Sequence, residues 1–138
     1  MYDILIRNGR ILDPVIGLDC VSDLAINQGK IRGIGNFDGA AATQTVDATG
    51  CYVTPGLIDY HIHVFTSGCE FSMLPELSTL SSGVTTVVDG GSAGVSGFQG
   101  FYRNDIVRSW VRVKAMLNIC SAGQPGVYYL ENMDPKLF

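Results

Sequence analysis

The chain carries little charge and almost no histidine. Charged residues make up 16% of its 138 positions, 9 lysines and arginines against 13 aspartates and glutamates, with two histidines and one tryptophan. A formal charge of −4 without a basic cluster argues against nucleic acid or an anionic membrane surface as partner, since both are held by dense positive charge. No apolar run approaches the ~18–20 residues that span a bilayer, and the amino terminus lacks a basic segment followed by an apolar core. A cytoplasmic protein with a small-molecule partner is expected. The four cysteines, Cys20, Cys51, Cys69 and Cys120, are far apart and form no Cys-x-x-Cys. That spacing argues against a zinc knuckle and suits reduced packing thiols better than a disulfide framework. What is abundant is apolar surface, 46% of residues, enough to fill an ordinary core.

Both histidines fall in one stretch, Gly56-Leu57-Ile58-Asp59-Tyr60-His61-Ile62-His63-Val64. On a strand, side chains alternate between faces, so Leu57, Asp59, His61 and His63 share one side and Ile58, Tyr60, Ile62 and Val64 the other. Two imidazoles spaced about 6–7 Å along a strand can converge on one divalent ion. The alternative is a hydrogen-bonded polar pair at a strand end. Context favours the ion: Pro55-Gly56 marks a sharp entry, Asp59 sits on the same face, and the stretch is apolar enough for a buried parallel strand.

The first fifty or so residues read as a small all-β unit. Ile4, Ile6 and Ile11 alternate around Asn8-Gly9, the strongest short hairpin signal because both residues accept the positive φ of a type I′ turn. After Asp13-Pro14, residues 23–35 give a second pair of strands turning at Asn27-Gln28-Gly29. Residues 45–48 and 51–53 then lead into the histidine strand. Beyond His63, Met73, Leu77 and Leu80 fall at helical spacing and the pattern stops at Gly83. Pro75 is tolerable only in a first turn, so this helix begins close to Ser72 or Leu74. A β-branched strand follows at 84–88, then the small-residue loop Asp89-Gly90-Gly91-Ser92-Ala93-Gly94, a second helix at 98–110 and a third strand at 111–119. Strand, helix, strand, helix, strand predicts a parallel sheet with right-handed crossovers. In such sheets sites collect at the carboxyl ends of strands, where His61, His63, the Asp89 loop and residues 118–121 would share one rim.

Pro55-Gly56-Leu57-Ile58-Asp59-Tyr60-His61-Ile62-His63 resembles the first-strand signature of the amidohydrolase superfamily of metal-dependent hydrolases. The resembled branch includes dihydroorotases, allantoinases, hydantoinases and N-acyl deacetylases. The resemblance implies an α/β fold: a β-sandwich portion at residues 1–52, then at 53–138 the first three strands and two helices of a TIM-type (β/α)8 barrel. Three βα steps do not close a barrel of about 250 residues, and residues 134–138 form no polar tail, so a truncated chain or fragment is expected. Its open sheet edges invite self-association.

The resemblance also implies a divalent metal, zinc above others, with His61 and His63 as ligands and hydrolysis of an amide or ester bond in a cyclic amide or N-acyl substrate. Asp59 would accept a hydrogen bond that fixes a histidine tautomer, or instead hold a nearby backbone amide. Asp89, Gly90, Gly91 and Ser92 would form a substrate loop offering backbone amides to a carboxylate or oxyanion, or serve only as a tight turn. The bridging lysine, two further histidines and catalytic aspartate of the family lie on later strands, and their counterparts are expected beyond Phe138. Lys114 sits near the start of its strand, the wrong end for the rim, and is not assigned as bridging. No catalytic residue is assigned within the chain, and little or no turnover is expected of it alone. The alternatives are a non-catalytic structural or assembly fragment, and a deaminase of the same superfamily.

Overall fold

The computed structural model describes residues 1–124. They form two compact units divided between Pro55 and Gly56, where the sequence places the division at 52/53. Two expectations lie outside the described residues: the chain end without a polar tail at 134–138, and the catalytic groups beyond Phe138.

The first unit is one five-stranded sheet. β1 (Tyr2–Asp13) pairs antiparallel with β2 (Leu18–Asn27), and β2 with β3 (Lys30–Gly35). β4 (Ala42–Asp47) and β5 (Tyr52–Val53) both run parallel to β1 along its other edge, β4 beside residues 2–7 and β5 beside Arg10 and Ile11. The β2–β3 turn is as expected: Gln28 and Gly29 both take positive φ, 53° and 66°. The hairpin expected at Asn8-Gly9 is not there. β1 runs straight through it with a register shift against β2 between Ile6 and Gly9, and the chain reverses later, at residues 14–17.

The conformation predicted for Asn8 is nonetheless correct, at φ 61°. It serves a bulge rather than a turn. The Asn8 N–H released from the ladder donates to Asp23 Oδ1 (3.0 Å), while Arg7 donates to Asp23 Oδ2 (3.0 Å). At Gly9 the sheet admits no side chain, since a Cβ would stand 2.5 Å from Val53 Cγ2. The dipeptide therefore resolves a crowded point where β4 gives way to β5. Leu5, Ile11, Leu24, Ala25 and Ala48 make this unit's small core. Only one sheet is present among the described residues of the unit, so a sandwich is not formed within it.

The second unit is a three-stranded parallel sheet in the order β6 (Leu57–Ile62), β7 (Val84–Asp89), β8 (Arg112–Ala115). Between β6 and β7 lies α1 (Pro75–Thr79), with proline in its first turn, extended by a 3-10 turn to Ser82 and stopped at Gly83. The helix expected at 98–110 is short: α2 (Phe98–Phe101) passes into a π-helical turn at Tyr102–Ile106 and ends. β8 is likewise shorter than the 111–119 expected. Asn118 there makes only an isolated parallel bridge to Gly94. Ile62, Val64, Phe65, Cys69, Val87, Ala93, Phe101 and Val111 form the core.

β6 is the edge of this sheet among the described residues, and its Leu57, Ile58 and Tyr60 are 51%, 64% and 71% exposed, where the sequence suggested cover on both faces. All four cysteines are free thiols. No helix of the described residues is long and apolar enough to cross a membrane.

α1 is tied to the approach to β8 by Glu76, whose carboxylate accepts from Ser109 Oγ–H and Trp110 N–H (2.8 Å). Burial raises the Glu76 pKa, but hydrogen bonds from Ser109 and the Trp110 and Val111 amides outweigh it and hold the carboxyl below its usual range. A carboxyl depressed in the folded state contributes stability above its unfolded pKa near 4.3 and loses it as pH falls through the lower folded value. Glu76→Gln is therefore expected to lower the neutral plateau of a urea-midpoint-versus-pH curve and flatten its acid limb, the variant and the parent converging at low pH. If Asn8 is present for its backbone, Asn8→Gly should change unfolding free energy by no more than ~1 kcal/mol, whereas Asn8→Val should lose about 1–2 kcal/mol. Urea titration of both variants checks this.

Candidate metal centre

Ile62 and Val64 enter the core of the second unit, and strand alternation sends the flanking His61 and His63 to the opposite side. Their ring centroids lie 5.4 Å apart at 77°. The edge of one imidazole thus faces the other. His63 is half-buried and His61 exposed. Phe71 also packs against His63, centroids 5.0 Å apart and nearly perpendicular at 89°.

The His61 ring lies over Gly90, where a Cβ would stand 2.8 Å from Nε2 and 3.0 Å from Cδ2. Only glycine leaves room for that approach. Gly90 is itself fixed, its N–H donating to the Ile62 carbonyl at 2.9 Å. Asp59 accepts the backbone N–H of His61 through Oδ1 at 3.0 Å. Of the two roles the sequence left open for it, this contact is with a backbone amide and not with a ring.

The ring contact belongs to Ser92, whose Oγ lies 2.8 Å from His63 Nδ1. Ser92 hangs on Asp89, and both are completely buried, at 0% exposure. Asp89 Oδ1 accepts the N–H groups of Gly91 (3.0 Å) and Ser92 (2.7 Å), and Oδ2 accepts the Val64 N–H (2.8 Å) and the Ser92 hydroxyl (2.8 Å). Asn118 supports the loop from the segment after β8, donating through Nδ2 to the Gly91 carbonyl at 2.7 Å and through its N–H to the Ala93 carbonyl at 3.0 Å.

These contacts correct the picture of a flexible, amide-presenting loop. The N–H groups of Gly90, Gly91 and Ser92 all point inward to acceptors of the chain itself, which removes them as donors to a substrate anion. The physical reason is Asp89: a buried carboxylate without a cation beside it draws in the nearest donors, and its own loop supplies them.

Two contributors had no mark in the sequence. Phe71 sits in an irregular segment where periodicity says nothing of direction. Asp105 reaches back to clamp the loop after β6, accepting Thr66 N–H (3.1 Å), Thr66 Oγ–H (2.6 Å) and Ser67 Oγ–H (2.7 Å). Its aim depends on the π-helical turn, which the residue pattern did not foretell.

The rim can offer two neutral imidazole nitrogens to a cation. Among the described residues no third His, Cys, Asp or Glu joins them in a metal-holding group. Fold and rim together define the class: a parallel α/β sheet with a paired-imidazole site at its carboxyl edge.

Comparison with known proteins narrows that class. Residues 44–125 match the model of the amidohydrolase family, and the chain belongs to that family. A deacetylase from Agrobacterium fabrum is 42% identical over 96 residues, 69% of this chain and 24% of that protein. Among solved structures, a dihydroorotase superposes with a TM-score of 0.79 at 34% identity, covering 88% of this chain and 32% of that one. An adenine deaminase superposes with a TM-score of 0.72 at 31% identity, over 89% and 32% of the two chains. The chain thus spans about a quarter of the curated deacetylase it matches.

Gly90→Ala tests the packing beneath His61. The atoms in its way belong to the end of a side chain, so the variant should fold, with an unfolding free energy within ~1 kcal/mol of the parent. The His61 ring should move. Side-chain NMR resonances of His61 are expected to shift strongly and those of Asp105 to stay in place.

Proposed function

We propose that the chain contributes the first metal ligands, His61 and His63, to a hydrolase that cleaves an amide or ester bond in a cyclic amide or N-acyl substrate. The observation that carries this reading is the pair of imidazoles side by side at the strand end, in a chain of the amidohydrolase family. What a bound divalent ion, zinc above others, supplies there is polarisation of the scissile carbonyl and a water acidic enough, with pKa about 7, to give hydroxide at neutral pH.

The residues of the chain do the holding. Asp59 fixes the His61 backbone, Ser92 grips the His63 ring, and Phe71 packs perpendicular to that ring. Catalytic zinc takes three protein ligands. With two among the described residues, the chain alone turns over little or no substrate, and the catalytic groups of the complete site lie beyond Phe138, on further strands of a (β/α)8 barrel. The β-sheet of the first unit is read as part of a sandwich in the same larger protein. Free thiols and the lack of a basic cluster support a cytoplasmic location, and the exposed edge of β6 favours self-association.

Likeness to both a dihydroorotase and an adenine deaminase leaves deamination as the second reading, since both reactions use water at a carbon bearing nitrogen. The reading in which the histidines are merely structural is separated by metal analysis. The chain is expected to retain zinc after dialysis and a His61→Asn/His63→Asn double variant to lose it, whereas no metal and an unchanged unfolding midpoint in the variant would mark the histidines as structural. Absence of zinc in the parent would sink the metal reading. In assays with zinc or manganese on N-acetyl amino acids, dihydroorotate and adenine, at most trace turnover is expected. Robust turnover abolished by His61→Ala would refute the claim of incompleteness.

A further inference from the structure

We propose that Ser92 and Asp89 are positioning residues for His63, fixing its ring as the tautomer with hydrogen on Nδ1 and the Nε2 lone pair free at the rim. The purpose of this arrangement rests on the metal-site reading. Its geometry does not.

The assignment follows from counting hydrogens along a chain of contacts. Asp89 is a buried carboxylate on which three backbone N–H groups, from Val64, Gly91 and Ser92, converge. An ionised carboxylate only accepts. The Ser92 hydroxyl, 2.8 Å from Asp89 Oδ2, therefore directs its single hydrogen there. Its oxygen has only lone pairs left to offer His63 Nδ1 at 2.8 Å. Nδ1 must then carry the hydrogen, which leaves Nε2 of the neutral ring as the donor atom for a cation.

Ser92 cannot easily turn to reverse the sequence. Its own N–H is held by Asp89 Oδ1 at 2.7 Å while its hydroxyl is held by Oδ2, and no solvent reaches it. A full negative charge thus stands behind His63 at one hydroxyl's remove. Partners of this kind fix the orientation of a ligating histidine and raise its basicity. Asp59 takes no part, being committed to the His61 backbone.

The test is the tautomer of His63 in the metal-free chain, read by two-bond proton–nitrogen correlation at a pH well above the ~6.5 of free imidazole. The parent is expected to show hydrogen on Nδ1. Ser92→Ala removes the acceptor, so both tautomers should become populated while the His61 signals hold. Asp89→Asn should invert the preference at a cost in stability: its amide oxygen keeps the Gly91 and Ser92 N–H groups, its NH2 donates to Ser92 Oγ and leaves the Val64 N–H without its acceptor, and the released hydroxyl hydrogen turns to His63 Nδ1. Hydrogen on Nε2 in the parent, or no change in Ser92→Ala, overturns the proposal. If circular dichroism shows Asp89→Asn unfolded, Ser92→Ala decides alone. Titration with zinc alone should show affinity lowered about 10- to 100-fold in Ser92→Ala. A parent with the expected tautomer that takes up no zinc would sink the metal reading and leave the positioning of the ring intact.

Discussion

The His63 side of the rim hangs from one buried carboxylate. Asp89 ends β7, and its two oxygens draw in the chain after β6, its own glycine loop and the hydroxyl that holds His63. Burying a charge without a cation is costly unless hydrogen bonds replace the lost water. Four donors satisfy it here, and in doing so set the positions of the groups that bear them. The histidines are placed less by their strand alone than by what this carboxylate gathers beneath them.

The histidine strand was legible in the residues, because alternation about Ile62 and Val64 is a local rule that tertiary packing upheld. The helix stop at Gly83 and the turn at Gln28-Gly29 were legible for the same reason, each needing a positive φ that few residues accept. Asn8-Gly9 shows where local rules stop. The positive φ at Asn8 was read rightly and that at Gly9 was not, and the crowding against Val53 and the pull of Asp23 make a bulge here rather than a turn. The expectation of free amides in residues 89–92 met a related limit. A glycine-rich loop advertises free amides only when nothing closer accepts them, and Asp89 is closer.

The two units differ in how their polar interactions are spent. In the first, Asp23 collects Arg7 and the Asn8 amide to settle a strand irregularity. In the second, Asp89, Asp105 and Asn118 all act on loops at the carboxyl ends of strands. Concentrated side-chain-to-backbone bonding at that end, beside an exposed β6 edge, separates a finely ordered rim from a sheet left open at that edge among the described residues. That contrast fits a family in which the strands supply a frame and the loops the chemistry.

The contacts of Asp89 also have a consequence for how the chain acquires its shape. Three of its four bonds reach partners two or three residues away, and only the one to Val64 spans 25. Closing such short loops costs little chain entropy and takes place early. The carboxylate nest can therefore assemble while β6 is still undocked, and the strand bearing the histidines then arrives at an acceptor already in place.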